Sequence, residues 1–302
     1  MGKVACAPAI RTAGRRQPSP DRSLALSAVH DVRTAERNRY AAGVDADGNR
    51  VLIADDAVGT TLWQASLAVP TGGQITEAVT DGTKVWVGYH TGGTGYDRDG
   101  RLSQFDAASG TRDWDQKIDD SYSGTVSALA ADGNGSVWAV ASQRHSTLRR
   151  FAADGSLTTT ISHDFAAGVA VAANGDVISA STSLGPVTRY TPNGALVWQE
   201  EVRRNPDNDV AIGPDGQVAV ASRYDKIVLL EPDGTQRWAT GTRAGVDAVD
   251  VEFDPDGNVL YVERGRSYVE RLDGATGGRI GQVYFESDVV DLGDTPVAIA
   301  GP

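Results

Sequence analysis

Basic and aromatic side chains that suit anion binding recur in the polar stretches between short apolar runs of this sequence. Arg binds carboxylates through paired hydrogen bonds, and its planar charge suits polar ligands. The residues of this group are His90, Tyr96, Arg144, His145, His163, Arg203, Arg204, Arg223, Tyr224, Arg264 and Arg266. We predict that they form a binding face for an acidic protein surface, a carboxylate or a glycan. The alternative is that they are ordinary solvated loop residues of an Arg-rich sequence.

Clustered aspartates are a second group with possible chemistry, because carboxylates are ligands for Ca²⁺. They stand at Asp45 and Asp47, Asp97 and Asp99, and Asp247, Asp250, Asp254 and Asp256. The D-x-D-G pattern resembles the start of a calcium loop, but the bidentate Glu expected downstream is missing. Most of these aspartates are predicted to lie in hairpin turns. If the chain binds Ca²⁺, we predict Asp97 and Asp99 as ligands, and we predict no other cofactor.

Catalytic motifs are scarce in this sequence. None of the four histidines, His30, His90, His145 and His163, lies in a recognisable motif. The sequence has no Gly-x-Ser-x-Gly elbow, no zinc-ligand spacing and no phosphate-binding loop. Cys6 is the only cysteine, so an internal disulfide cannot form. A binding protein is therefore favoured over an enzyme.

A recurring turn dipeptide shows which elements position these residues. The dipeptide occurs first at Asp47-Gly48, Asp81-Gly82 and Asp132-Gly133. From the third occurrence it recurs at steps of 41 or 42 residues, at Asn174-Gly175, Asp215-Gly216 and Asp256-Gly257. Residues 209–241 contain four short β-branched runs, and Asp-Gly between such runs is a strong hairpin signal. Four strands repeated radially make a propeller blade. The sequence predicts an all-β fold, a single β-propeller in residues 22–302 with about seven four-stranded blades, or six as the alternative.

Tryptophans mark equivalent positions in these repeats. A large flat side chain on a fourth strand would wedge between adjacent blades, which we favour over ligand stacking. The fourth-strand tryptophans are Trp63, Trp114, Trp198 and Trp238, whereas Trp86 and Trp138 are predicted as core residues of second strands.

The repeats resemble those of two known propeller families. The segment VAIGPDGQVAVASRYDKIVLLEPDG is similar to the NHL-type repeat, and FDAASGTRDW is similar to the PQQ-like, or quinoprotein-like, repeat. The resemblance covers about residues 39–302 and implies a propeller fold. It does not imply one activity, because both repeat types occur in enzymes, scaffolds and assembly factors. Quinone-cofactor binding is not implied either, since one cysteine cannot form a vicinal pair.

Two irregularities interrupt the repeats. The last segment, DVVDLGDTPVAIAGP, contains only two strands, and we predict that residues 22–34 supply the missing ones, so that N- and C-terminal strands close the ring. The segment HTGGTGYDRDG, residues 90–100, is an insertion predicted between a second and a third strand. An insertion in one repeat often marks the binding face, although a harmless surface loop is the alternative.

Residues 1–21 form an extended basic arm with few apolar residues. Its basic residues are Lys3, Arg11, Arg15 and Arg16, and alone such a segment would not fold. We predict that it orders against the protein subunits of a larger assembly, such as a virus particle or a surface complex.

Net charge and hydropathy limit the classes of partner and the location that the sequence favours for this protein. The net charge of −12 argues against a nucleic-acid binder, because phosphate binding needs a basic field. No apolar run reaches the length of a membrane span, and no signal-peptide core occurs in this chain, which favours a virion or cytoplasmic location. We predict a non-enzymatic binding or structural propeller. The alternative is a lyase or lactone hydrolase with its site at the mouth of the central channel.

Overall fold

The chain folds into β-sheets. The computed structural model describes residues 27–33, 38–70, 72–92, 99–118, 124–142, 146–163, 166–181, 186–202, 206–222, 226–243, 248–263 and 268–284. Within these ranges the strands form six four-stranded antiparallel sheets, and neighbours in each sheet are consecutive in sequence. The described residues contain no helix that could span a membrane. The predicted arm, residues 1–21, lies outside them.

Each sheet is one blade, numbered here in chain order. Blades 1 to 3 comprise β1 (Ser27–Arg33), β2 (Arg39–Val44), β3 (Arg50–Asp55), β4 (Thr61–Ser66); β5 (Gln74–Thr80), β6 (Lys84–His90), β7 (Gly100–Asp106), β8 (Arg112–Lys117); and β9 (Thr125–Ala131), β10 (Val137–Ser142), β11 (Thr147–Phe151), β12 (Leu157–Ser162). Blades 4 to 6 comprise β13 (Ala166–Val171), β14 (Val177–Ser181), β15 (Val187–Tyr190), β16 (Leu196–Glu200); β17 (Pro206–Ile212), β18 (Val218–Ser222), β19 (Lys226–Leu230), β20 (Gln236–Gly241); and β21 (Ala248–Phe253), β22 (Val259–Glu263), β23 (Tyr268–Leu272), β24 (Arg279–Tyr284).

Local turn chemistry explains why the sequence breaks into these short strands. In the turn between β21 and β22, the Asp254 carboxylate accepts the N–H groups of Asp256 and Asn258, both at 2.9 Å. Gly257 follows with a φ of +79°, a conformation that residues with a Cβ rarely adopt. Asp and Gly at these two positions therefore end one strand and begin the next.

The first strand of each blade faces the axis of the molecule. β1 packs against β5, β5 against β9, β9 against β13, β13 against β17, and β17 against β21. Apolar side chains fill the spaces between blades, and one such cluster joins blades 5 and 6 through Leu229, Trp238, Val251 and Tyr261. This radial arrangement is that of a β-propeller, and its first strands line a central channel.

The fourth-strand tryptophans join each blade to the next. Their indole N–H groups donate to backbone carbonyls in the following blade, Trp63 to Ala107 (3.0 Å), Trp114 to Ala153 (3.1 Å), Trp198 to Pro232 (2.9 Å) and Trp238 to Gly274 (3.0 Å). In blade 3 the hydroxyl of Thr159 makes the equivalent bond to Pro192, at 3.2 Å. The predicted wedge role of these tryptophans is confirmed. Trp86 and Trp138 are fully buried, as core residues should be.

Three details differ from the sequence prediction or refine it. The described residues form six blades, the smaller predicted number, and residues 285–302, on which a seventh blade depended, lie outside them. Within the N-terminal segment, β1 pairs with β2 in blade 1, and the predicted closure with the C-terminal strands lies outside the described residues. The first repeat interval is short because Asp47-Gly48 joins a second strand to a third, whereas Asp81-Gly82 joins a first strand to a second.

Candidate functional site

The propeller has two ends of different construction. Connections from second to third strands and between blades lie at one end, the loop face, and the remaining hairpin turns lie at the other, the turn face. The insertion connects β6 to β7 on the loop face, between a second and a third strand as predicted. Most predicted site residues belong to connections outside the described residues, and their roles stay predictions: Tyr96, Asp97, Arg144, His145, Arg203, Arg204, Arg223, Tyr224, Arg264 and Arg266, as well as Lys3, Arg11, Arg15 and Arg16 of the arm.

His90, the last residue of β6, is buried beneath the loop face rather than displayed on it. Its side chain has a relative exposure of 3%. Nδ1 lies 3.0 Å from the carbonyl oxygen of Thr91, and Nε2 lies 3.3 Å from the side-chain oxygen of Gln74. These contacts hold the ring between β5 and the start of the insertion, so a ligand would reach it only after displacing them.

His163 follows β12 and is also buried. Its Nε2 lies 3.4 Å from the hydroxyl of Thr188, and its Nδ1 lies 3.4 Å from that of Ser179. The ring meets Tyr190 edge to face, with centroids 6.0 Å apart. His163 therefore joins blade 3 to blade 4, and its side chain is not presented to solvent.

Asp99 is the described member of the predicted calcium pair. Its carboxylate lies 2.9 Å from the Lys117 ammonium, and its backbone N–H donates to the Thr91 hydroxyl at 3.0 Å. A neighbouring ammonium competes with a metal ion for the same oxygen atoms. Across the described ranges, no group of three or more His, Cys, Asp or Glu side chains could hold a metal ion. Calcium binding stays a prediction.

The turn face contains many carboxylates, and several of them accept hydrogen bonds from backbone N–H groups of their own turns. The described turns there contain no Lys or Arg, and their acidic residues are Asp56, Asp81, Asp132, Asp154, Asp176, Asp215, Glu231, Asp233, Asp254, Asp256 and Asp273. The hydrogen bond from the Thr60 N–H lowers the pKa of Asp56, and the bond from Thr235 lowers the pKa of Asp233. The Asp56 and Asp233 carboxylates are therefore ionised at neutral pH. Arginines of the adjoining strands pair with other carboxylates of this face, as in Arg150–Asp132 and Arg189–Asp176.

A group of carboxyl side chains on first strands forms the most unusual polar site among the described residues. Glu77 lies on β5, Asp209 on β17, and Asp250 and Glu252 on β21. The Asp209 carboxylate accepts the backbone N–H of Val251 at 2.8 Å. Burial and the negative charge of Asp209 raise the pKa of both Glu77 and Glu252. Because blades 2 and 5 are not neighbours, the interaction between Glu77 and Asp209 runs across the central channel.

The environment of the channel raises the pKa of Glu77, Asp209 and Glu252. Burial raises the pKa of Glu77 from 4.5 to about 7, and repulsion from Asp209 adds to the effect. Glu252 keeps contact with water, yet the surrounding protein raises its pKa to about 7 as well, again with a contribution from Asp209. Burial also raises the pKa of Asp209. Carboxyl groups tuned in this way can gain or lose a proton at neutral pH.

Replacing Glu77 by Gln is expected to stabilise the protein in alkaline solution. A carboxyl whose pKa is raised by folding binds its proton more tightly in the folded state, so stability falls as pH rises from about 4.5 through about 7. Gln cannot ionise, and at about pH 8 we expect a gain of about 1–2 kcal/mol, reduced by screening in the channel. Urea unfolding at several pH values measures this change.

Glu231→Gln is the matched control for that measurement. Glu231 lies on the turn face, where hydrogen bonds from Arg237 lower its pKa, so its replacement should give no alkaline gain. Equal pH dependence of stability in Glu77→Gln and the unmodified protein would contradict the assignment of Glu77 to a desolvated channel.

Sequence reasoning missed the channel carboxyls. Asp250 stood among aspartates predicted to lie mostly in turns, but it lies within β21. Glu77, Asp209 and Glu252 are distant in sequence and belong to no motif. The sequence did contain one signal for these residues, an acidic side chain within the apolar run of a first strand. It occurs in the segments TEAV, NDVAI and VDVEF.

The fold and its repeats define the class of protein. The chain is a β-propeller, and its residues 183–284 match PQQ-like repeats, as one of the two resemblances implied. Residues 183–284 match the family described as outer membrane protein assembly factor BamB. This match extends from the connection before β15 to the end of β24, and thus covers half of blade 4 and all of blades 5 and 6.

Solved structures are similar to this chain in fold. Streptogramin B lyase has a TM-score of 0.67 and 11% identity, over 86% of this chain and 83% of the lyase chain. BamB from Moraxella catarrhalis has a TM-score of 0.58 and 14% identity, over 87% of this chain and 76% of its own. A protein of unknown function from Bacteroides caccae has a TM-score of 0.56 and 11% identity, over 80% and 92%. No curated protein matches the sequence.

Proposed function

We propose that this protein is a non-enzymatic binding subunit of a larger protein assembly, with the loop face as its recognition surface. The observation that carries this proposal is the contrast between the two ends of the propeller. Turn-face carboxylates bond within their own blades, as with Asp254, which accepts hydrogen bonds from Asn258 and Arg271. The loop face carries the one long insertion, residues 91–99, and most of the predicted basic residues.

The charge of the two faces favours a particular class of partner. The described turns of the turn face contain acidic and no basic residues, which is unfavourable for an acidic protein surface or an anionic glycan. On the loop face such a partner would meet the Arg residues predicted for recognition, which bind carboxylates through paired hydrogen bonds. A Ca²⁺ ion at Asp97 and Asp99 is a secondary part of the proposal.

The comparisons support an assembly role in general terms only. The family matched by residues 183–284 is described as an assembly factor, and the solved BamB structure has the same fold. In our proposal the basic arm, residues 1–21, anchors this propeller to protein subunits of its assembly. A virus particle, a surface complex or a cytoplasmic complex is the setting that the sequence favours.

Deleting the arm tests this function. Tagged full-length protein and a variant without residues 1–21 are produced in the native cells, and the mass of the isolated particles is measured by mass photometry. We expect the full chain in particles heavier than the monomer and the deletion variant as a monomer. Asp273→Asn, a change on the turn face, is the control and should assemble normally. Unchanged particle mass after the deletion would overturn the anchoring role.

The channel carboxyls favour a second candidate function, a lyase or lactone hydrolase. Glu77 has a pKa of about 7, which suits a group that transfers protons at neutral pH. The channel position agrees with the predicted site at the channel mouth. One solved structure of similar fold is a streptogramin B lyase, so streptogramin B is the first substrate to try, together with lactones for the predicted hydrolase activity.

A substrate panel separates the two candidates. Streptogramin B and a set of lactones are incubated with the protein, and products are followed by mass spectrometry. For an enzyme we expect turnover that falls by about 100-fold or more in Glu77→Gln. The absence of turnover across the panel, or equal turnover in Glu77→Gln, would reject the channel as a catalytic site for these substrates.

A further inference from the structure

Five seams between blades use the same docking contact, a side chain of one blade packed on a turn glycine of the next. In blades 2 to 6 this glycine lies between the third and fourth strands, with φ from +70° to +90°. The glycines are Gly110, Gly155, Gly194, Gly234 and Gly277. Tryptophan is the packed side chain in four seams, and Ile161 takes its place in the seam between blades 3 and 4. The indole N–H of Trp198 also donates to the Pro232 carbonyl, two residues before Gly234.

Blade 1 has the same turn, but none of the described residues packs on its glycine. The Asp56 carboxylate accepts the N–H groups of Val58 and Thr60, at 2.9 and 2.8 Å, and Gly59 has a φ of +86°. Beyond its chain neighbours, no described atom lies within 4 Å of a Cβ placed on Gly59. Gly59 is exposed, whereas the five equivalent glycines are buried or half-buried. The receiving half of the docking contact is therefore formed and open to solvent.

The side chains beside Gly59 are apolar. Val58 directly precedes it and is 86% exposed, and Leu62 on β4 is 51% exposed. The residue before the glycine is polar in each of the other five turns, as Ser109, Asp154, Asn193, Asp233 and Thr276. Exposed apolar side chains grouped at one place favour a protein contact there. The blade 1 turn is thus suited to an apolar ligand rather than a charged one.

The chain has no tryptophan left for this turn. The tryptophans of the docking contacts are each the third residue of a fourth strand, and in β24 this residue is Gly281, paired with Arg271. Trp238 pairs with Leu229 at the same position of blade 5. Of the six tryptophans in the sequence, four pack on turn glycines and two are fully buried on second strands. A second copy of the chain would have none to donate either.

We propose that the blade 1 turn around Gly59 is a docking site for a tryptophan that a partner protein presents on an extended strand. The four tryptophan contacts within the chain define this occupant, because each comes from an outer strand and uses the same turn. The indole packs on Gly59 beside Val58, and its N–H donates to the Ala57 carbonyl, which is equivalent to that of Pro232. This site goes beyond the recognition proposed for the loop face and does not depend on it.

Nitrogen-15 NMR spectra of the full chain test the site with a synthetic peptide. The peptide ALVWQE, residues 195–200, carries the tryptophan of β16 on an apolar strand. We expect saturable shifts of the Gly59 and Val58 amide signals with a Kd of about 1 mM, because a single side chain supplies most of the contact. The same peptide with Trp198→Ala should bind at least about tenfold more weakly. Absence of shifts at Gly59, or equal binding of the two peptides, would overturn the proposal.

A double variant tests whether the apolar side chains form the site. Val58→Asp with Leu62→Arg gives blade 1 the residues of the same positions in blade 5, Asp233 and Arg237. Both positions are exposed, so folding should be retained, and we expect peptide binding to weaken at least about fivefold. Leu157→Arg, at a 50% exposed position on the outer strand of blade 3, is the matched control and should bind normally. Unchanged binding in the double variant would count decisively against the site.

A photocrosslinker at position 58 identifies the natural occupant. Val58→p-benzoylphenylalanine is produced in the native cells, and crosslinked peptides are sequenced by mass spectrometry. We expect a tryptophan-containing segment of another protein, and Trp→Ala in that segment should remove the crosslink. Crosslinks confined to residues 285–302 of the same chain or to a second copy, or no crosslink at all, would overturn the proposal. Deleting residues 1–21 should leave peptide binding unchanged, which separates this site from the anchoring role of the arm.

Discussion

Trp238→Ala is expected to lower the free energy of unfolding by about 3–5 kcal/mol. The indole has a relative exposure of 9% and belongs to the apolar cluster between blades 5 and 6. Its N–H donates to the Gly274 carbonyl at 3.0 Å, so truncation removes packing and a bond between blades. The ring packs directly against Gly277, which has a φ of +71°. A Cβ at this position would lie only 2.8 Å from Trp238 Cδ2, so a larger residue would not fit.

Urea unfolding followed by circular dichroism measures the loss. Trp238→Phe keeps most of the packing without the N–H, and it should lose about 1–2 kcal/mol. Leu196→Ala is the surface control, since Leu196 is 60% exposed on the outer strand of blade 4, and its effect should stay within about 0.5 kcal/mol. Equal stability of Trp238→Ala and Leu196→Ala would show that the tryptophan does not join the blades.

Glu270→Ala is expected to destabilise the protein by about 1–3 kcal/mol, because it removes a buried acceptor from the Tyr261 hydroxyl and from two partly exposed arginines. The Glu270 side chain is 1% exposed on β23. It accepts the Tyr261 hydroxyl at 3.1 Å and lies 3.3 Å from both Arg243 and Arg279. Arg243 follows the last strand of blade 5, so the network crosses the seam to blade 6. Alanine would leave the buried Tyr261 hydroxyl without its acceptor.

An exposed ion pair provides the comparison for Glu270. Glu231→Ala removes the pair with Arg237, in which both side chains are about 30% exposed, and such pairs contribute less than about 1 kcal/mol. Both variants lose one carboxylate, so net charge cannot explain a difference between them. If thermal and urea unfolding showed similar small losses for the two, the Glu270 network would not stabilise the seam.

Local sequence signals predicted the blades because each turn depends on a few adjacent residues. Asp254 and Gly257 need no distant partner to form their hairpin turn, so the repeat could be recognised directly. Tryptophan positions were equally clear. Thr159 was missed because a threonine on a strand carries no signal of an inter-blade hydrogen bond.

Features that depend on contacts around the ring could not be predicted in this way. Glu77 and Asp209 interact only because blades 2 and 5 face each other across the channel. His163 has a loop-like position after a strand, but Ser179 and Thr188 of the next blade bury it. Ring closure by residues 22–34 and the C-terminal strands stays a prediction, because residues 285–302 lie outside the described residues.

The central claim is that the loop face, and not the turn face, receives the partner. Hydrogen exchange of the isolated assembly, compared with the protein released from it, measures this directly. We expect slower exchange on binding in the loop-face connections, residues 91–99 and 201–205, and unchanged exchange in the turn-face residues 254–258 and 273–278. Protection confined to the turn face, with the loop face unaffected, would contradict the account.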